Sequence, residues 1–304
     1  MRRPDANYKG HNMAFKSGFI SIIGRPNAGK STLLNRITGE KISIVSPKPQ
    51  TTRNVIRGIF NRPDCQIVFI DTPGIHKGKG LLNEFMVKEA VSSLSDVDAV
   101  VLLIEAEKPM SDDDRLVLEA VKGLKCPVIL GLNKVDKVDK RQLLPLIDEY
   151  SKAYAFREII PISALKGEGV ELLVATLTAL MPEGPKYFPD DSVTDLPERF
   201  IVAEMVREKV FLYARDEVPY SAAVTVDKFT EKKDIISISA TISVERESQK
   251  GIIIGKGGSM LKKIGSSART EIEGLLGKKV FLELFVRVNK EWTRKPDALK
   301  GFGY

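Results

Sequence analysis

Gly24-Arg25-Pro26-Asn27-Ala28-Gly29-Lys30-Ser31 decides the fold of this 304-residue chain. The octapeptide fits GxxxxGK[ST] and stands between an apolar run, residues 19–23, and an amphipathic stretch, Lys30–Thr38. A strand, a glycine-bearing loop and a helix in that order form the context in which the pattern wraps phosphates. Successive backbone N–H groups point inward, and the helix N-terminus adds partial positive charge. Gly24, Asn27, Ala28, Gly29, Lys30, Ser31 and Thr32 are therefore candidate phosphate-site residues. Lys30 would reach the β- and γ-phosphates, and the Ser31 hydroxyl would bind magnesium. The loop leaves the base open. Asn133-Lys134-Val135-Asp136 names it, because the Asp136 carboxylate can accept from both N1–H and the 2-amino group of guanine. Adenine offers no donor at either place, and a lost charged hydrogen bond costs about 1.5–3 kcal/mol.

Outward from the loop, apolar runs alternate with amphipathic segments. Strands are expected at residues 19–23, 55–60, 66–70, 99–104, 128–132 and 159–162, and helices at 30–38, 82–94, 112–124, 142–156 and 170–180. This rhythm predicts an α/β domain with a mostly parallel six-stranded sheet covered on both faces. The turn-rich Asn61-Arg62-Pro63-Asp64 is too short for a crossover, so it predicts a hairpin and one antiparallel edge strand. Residues 181–191, rich in proline and acid, read as a linker. Beyond it the pattern becomes α+β: a helix at 197–213, antiparallel strands at 222–229 and 235–244, a helix at 259–276 and a strand at 280–288. The expected organisation is an N-terminal extension over 1–17, a nucleotide domain over 18–181, a linker over 182–195 and a second domain over 196–304. Met13 would make a plausible start of its own, so residues 1–12 read as a disordered extension or a mis-set start.

Composition narrows the class. A hydrophobic share of 43% suits a globular protein, and no apolar run approaches the roughly 18 residues of a membrane span. The first residues are polar, unlike a signal peptide. Cys65 and Cys126 form no CxxC pair and, with only two histidines, exclude a disulfide scaffold or a metal cluster. A cytoplasmic protein is expected. Residues 250–304 carry twelve Lys/Arg against five Asp/Glu, whereas residues 181–249 carry nine against fourteen. Positive charge gathered at one end is the footprint of a polyanion partner.

Further motifs fall at strand ends. Asp71-Thr72-Pro73-Gly74 alone would be a β-turn. After a buried strand, Asp71 can hold magnesium through water and the Gly74 N–H can meet the γ-phosphate. In Pro49-Gln50-Thr51-Thr52-Arg53, a threonine can bind magnesium only while a γ-phosphate holds the segment, and Thr52 is favoured over Thr51. Ser163-Ala164-Leu165 can offer a backbone N–H to the guanine 6-oxo group. The ordered set resembles the translation-factor-related GTPases, which implies hydrolysis of GTP to GDP by in-line attack of water, with Lys30, Thr52 and Gly74 as catalytic groups and Ser31, Thr52 and Asp71 on Mg2+. Ile75 stands where Ras-like enzymes carry a water-orienting glutamine, so slow intrinsic hydrolysis is expected. Asn27 is either a K+-compatible position, as in related GTPases, or a loop-stabilising hydrogen-bond donor. His76 and Lys77 read as solvent-facing.

Ile252-Ile253-Ile254-Gly255-Lys256-Gly257-Gly258 runs into Ser259-Met260-Leu261-Lys262-Lys263. This resembles a type II KH domain, whose GXXG loop joins two helices and clamps a nucleic-acid backbone. By that resemblance Gly255, Lys256, Gly257 and Gly258 form the clamp, with Lys262 and Lys263 as further RNA contacts. A GTPase domain followed by such a module is similar to the bacterial Era family across nearly the whole chain, including the SPKPQTTR and VERESQKGIIIGKGG stretches. The resemblance implies an RNA-stimulated GTPase, a monomer, that binds the 3′ end of 16S rRNA and acts in maturation of the 30S subunit. It also implies peripheral contact with the anionic inner membrane; the basic face with Arg294 and Lys295 near Trp292 is the candidate surface, and RNA is the better explanation of that face.

Overall fold

The computed structural model describes residues 15–215 and 217–304. The expectation for residues 1–12 lies outside the described residues. Six strands, β1 (Lys16–Ile23), β2 (Ile56–Asn61), β3 (Cys65–Asp71), β4 (Ala99–Glu105), β5 (Val128–Asn133) and β6 (Glu158–Pro161), form a sheet in the order β2-β3-β1-β4-β5-β6. All neighbours are parallel except β2 and β3, the antiparallel hairpin at the edge. β1 starts at Lys16, earlier than residue 19 and inside the segment expected as an extension.

Strand alternation divides the core in two. Val101 and Leu103 of β4 face α1 (Lys30–Thr38) and α5 (Val170–Leu180). Val100, Leu102 and Ile104 face α2 (Leu81–Ser92), α3 (Asp112–Val121) and α4 (Leu143–Ala153). With both faces covered, β3, β4 and β5 are buried at every residue, which is why they read as unbroken apolar runs. Leu33, Leu34 and Ile37 of α1, and Leu173, Val174 and Leu177 of α5, recur at helical spacing and seal one side.

The second domain contains α6 (Glu198–Tyr213), β7 (Ala223–Glu231), β8 (Ile235–Val244), α7 (Glu247–Ile254), α8 (Ser259–Leu276), β9 (Lys279–Val288) and α9 (Pro296–Gly301). Its sheet runs β7-β8-β9, with β8 antiparallel to β7 and parallel to β9. Val202, Val206 and Val210 of α6 pack with Ile264, Ala268 and Ile272 of α8 over β8.

The segment expected as a linker is tied to the first domain. Ser17 N–H donates to Pro182 O at 3.0 Å, Ile59 N–H to Val193 O at 2.9 Å, and Gln66 Oε1 accepts from the N–H groups of Tyr187 and Phe188. Residues 182–195 therefore lie as a strap across the starts of β1 and β3 to the edge strand β2. Leu196 then packs against both domain cores.

Candidate active site

The strand ends β1, β3, β4, β5 and β6 open onto a cleft of about 600 Å³, the position at which open parallel sheets take ligands. Of the sequence-derived candidates, Asn27, Gly29, Lys30, Ser31, Thr32, Thr52, Gly74, Asn133, Lys134, Asp136, Ala164 and Leu165 line it. Gly24, Ala28, Asp71 and Ser163 stand behind the wall.

Lys30 is buried at the start of α1 and donates to the carbonyls of Gly24 and Arg25, each at 3.0 Å. Burial pushes its ammonium down to about 8, opposed by the Asp71 carboxylate. Gly29 holds φ +99°, and a Cβ there would lie 2.2 Å from Asn133 Nδ2. That close approach lets Asn133 act as a brace. Its Nδ2 donates to Ala28 O at 2.7 Å and its Oδ1 accepts from Ala164 N–H at 2.9 Å, joining three loops. Asp136 accepts from Ser163 Oγ at 2.6 Å, which orients the carboxylate at the cleft.

Around Asp71 the hydroxyls converge. Ser31 Oγ and Ser43 Oγ donate to Asp71 Oδ2 at 2.7 and 2.9 Å, and Thr52 Oγ1 lies 2.8 Å from Ser31 Oγ. The Thr51 hydroxyl, by contrast, is taken up by the protein, donating to Lys48 O at 2.8 Å. Burial raises the Asp71 carboxyl above the usual range, opposed by Lys30 and the two serines. Its Oδ1 is buried without a hydrogen-bond partner. An all-oxygen cluster with an orphaned carboxylate oxygen fits a hard divalent cation such as Mg2+.

Ile75 is 2% exposed and packs in the α2–α3–α4 core, so it faces away from the cleft. His76 is half-buried rather than solvent-facing. One ring nitrogen meets Gly74 O at 2.9 Å and the other Gln50 Nε2 at 2.7 Å. Sequence reasoning also missed Glu105, which pairs with Arg25 at 3.3 Å and Lys134 at 3.0 Å and so links phosphate loop to base loop. An acid closing an otherwise apolar strand was the signal available. Nothing in the sequence marked Ser43.

In the second domain, α7 and α8 meet at the glycine loop. Gly255 has φ +70°, and a Cβ there would lie 2.7 Å from Met260 Cβ, so the turn requires glycine. Lys256 and Lys262 are exposed. Lys263 is exposed too, with its ammonium 4.2 Å over the Tyr213 ring. Beside the loop, Leu261, Lys262, Arg269, Leu282 and Leu284 line a groove with an apolar floor and basic rim. Trp292 is 0% exposed and donates its indole N–H to Ser221 O at 2.8 Å. Trp292 is closed to any lipid surface, whereas its neighbours Arg294 and Lys295 are exposed.

A doubly covered parallel sheet with a phosphate-loop sequence, an NKVD segment at the cleft and a glycine-loop α+β module behind it defines a P-loop GTPase joined to a KH domain. A family model described as 50S ribosome-binding GTPase matches residues 19–134, and a KH domain model matches residues 217–293. GTPase Era of Geotalea uraniireducens is 60% identical over 291 residues, covering 95% of this chain and 98% of that protein. GTPase Era of Syntrophus aciditrophicus is 53% identical over 297 residues, 97% of each. A crystal structure of Era with MgGDPNP and nucleotides 1506–1542 of 16S ribosomal RNA superposes with a TM-score of 0.93 at 44% identity, covering 95% of this chain and 99% of that one. Aquifex aeolicus Era bound to GDP and aluminium fluoride gives 0.93 at 43% identity, with the same coverage. The chain belongs to the Era family of GTPases.

Proposed function

We propose that this chain is a cytoplasmic switch, working as a monomer, that binds and hydrolyses GTP, holds the 3′ end of 16S rRNA on its KH domain and acts in assembly of the 30S subunit. The observation that carries the coupling is a direct seam between the nucleotide cleft and α6. Arg207 donates to Thr51 O at 2.6 Å, and Glu208 accepts from Val45 N–H at 2.8 Å. Val45, Thr51 and Thr52 line the cleft, so the segment that must respond to a γ-phosphate is also a contact surface of the second domain. The Era relative solved with both a GTP analogue and rRNA supports the same pairing of ligands.

In this reading the loop N–H groups and Lys30 take the phosphates, Asp136 takes the guanine edge, and the Gly74 N–H meets the γ-phosphate. Ser31, Thr52 and Asp71 would hold Mg2+, which supplies positive charge against that developing on the phosphates. Ile75 cannot orient water, so intrinsic turnover is slow and RNA raises it. Asn27 has φ +64° and donates Nδ2 to Pro47 O at 2.9 Å, leaving its Oδ1 as the acceptor for K+. Lys256, Lys262 and Lys263 with Gly255, Gly257 and Gly258 clamp the RNA backbone. Among the described residues no helix is long and apolar enough to cross a membrane. Peripheral contact with anionic lipid then rests on exposed Arg294 and Lys295, and vesicle binding that vanishes at physiological salt would remove it.

The test is the affinity for a single-stranded RNA matching the 3′ end of 16S rRNA, measured with GDP and with a non-hydrolysable GTP analogue. Tighter binding with the analogue is expected. Equal affinities would refute the coupling.

A further inference from the structure

Thr52 has neighbours on both sides that are anchored in the other domain. Arg53 is 2% exposed and points away from the nucleotide. Its Nη1 donates to Ala222 O at 2.8 Å, and its Nη2 donates to Tyr220 O at 2.7 Å and Pro219 O at 3.2 Å. The rings of Tyr304, Phe211 and Trp292 surround the guanidinium carbon at 5.6, 5.7 and 5.9 Å. The Tyr304 hydroxyl lies 3.4 Å from Nη1. The charge is thus met by carbonyl dipoles and aromatic faces rather than by a salt bridge, an arrangement that suits a planar guanidinium and not an ammonium. On the other side, Arg207 is gripped by Glu204 and donates to Thr51 O.

With residues 51 and 53 both fixed, the Thr52 hydroxyl has little freedom. Clamping both neighbours fixes the Cα–Cβ direction of residue 52, and its β-branched side chain is then restricted to few χ1 rotamers. The rotamer adopted brings the hydroxyl to Ser31 Oγ, 2.8 Å away.

We propose that Arg53 is a positioning residue for GTP hydrolysis: caged by Phe211, Trp292 and Tyr304 of the second domain, it holds Thr52 at the metal cluster. The second domain thereby completes the nucleotide site, and RNA that shifts α6 or the 292–304 tail changes turnover through this cage. The inference rests on the reading that Ser31, Thr52 and Asp71 hold a divalent cation on GTP.

A simple domain clasp would act alike in every nucleotide state. A positioning role would not, because Thr52 matters only when γ-phosphate and metal are both present. The experiment compares Arg53→Lys and Tyr304→Ala with the parent chain by titration with GDP and with a Mg2+-loaded GTP analogue, and by single-turnover hydrolysis across Mg2+ concentrations. Arg53→Lys is expected to weaken the analogue about tenfold while GDP stays within about twofold, with the rate falling further and its half-maximal Mg2+ rising. Tyr304→Ala removes one wall of the cage, keeps every carbonyl partner, and should give the same selective pattern in smaller degree. It carries the test if Arg53→Lys fails to fold. Equal weakening of GDP and analogue, or an unchanged ratio in a folded variant, overturns the proposal. A parent chain whose GTP binding ignores Mg2+ would instead sink the reading beneath it.

Discussion

With Lys30 on the phosphates, as proposed, nucleotide binding should take up a proton at alkaline pH. In the free protein, burial brings its ammonium from 10.5 to about 8. Phosphate oxygens favour the charged form, so binding moves the group back up. The sign follows: well below pH 8 the proton is already present and affinity does not depend on it, whereas affinity is lost as pH rises through 8. Between about pH 7 and about pH 8.5, Kd for GDP should rise about fourfold, and uptake on binding should grow from about 0.1 to about 0.8 proton. Calorimetry in two buffers of different ionisation heat measures that uptake. The upper pH is kept below the titration of guanine N1, and Lys30→Arg, which does not titrate here, should show no comparable uptake. The same depression costs the nucleotide-free fold about 3 kcal/mol at neutral pH. This penalty is relieved between pH 8 and 10.5, so Lys30 adds stability as pH climbs through that window. Uptake near zero at about pH 8.5, with unchanged Kd, would refute the reasoning.

Two further outcomes are expected. Ile75→Gln should not accelerate hydrolysis, because the side chain at 75 enters the core. It should instead destabilise the fold by about 1–3 kcal/mol, read by denaturant titration, and a rate gain above about tenfold at unchanged stability would contradict this. Replacing K+ by Na+ should slow hydrolysis if Asn27 Oδ1 supports the larger ion. Indifference to the swap would leave Asn27 with only its bond to Pro47.

Local chemistry made much of this molecule legible. The positions of Lys30, Asp71 and Asp136 around the cleft at the strand ends were readable because the alternating apolar runs placed those ends. Contacts between the domains were not readable. Arg207, Glu208 and Lys209 are three consecutive charges that periodicity assigns to a solvated face, yet all are buried. Beside local pairs, Arg207 with Glu204 and Lys209 with Glu208, they are satisfied by distant residues: Thr51 for Arg207, Lys41 for Glu208 at 2.7 Å, and Glu271 for Lys209. Asn133 lines the cleft, and its bonds to Ala28 and Ala164, which brace three loops, were not readable from the motif. Trp292 among basic residues looked interfacial, and the aromatic stack with Tyr304 encloses it. In each case the deciding partner is remote in sequence, where local pattern carries no information.

The strap over residues 182–195 turns α6 into a lever. Because the strap is bonded to β1, β2 and β3, the first place the chain can swivel is at Leu196 and Pro197, the foot of the helix. A helix of 16 residues is about 24 Å long. A tilt of about 10° there carries its far end about 4 Å and Arg207 about 2.5 Å, more than a hydrogen bond tolerates. Small rotations of the KH domain would therefore not loosen the seam by degrees. They would unfasten Arg207, Glu208 and the Arg53 cage together, giving the GTPase two settings instead of a continuous range.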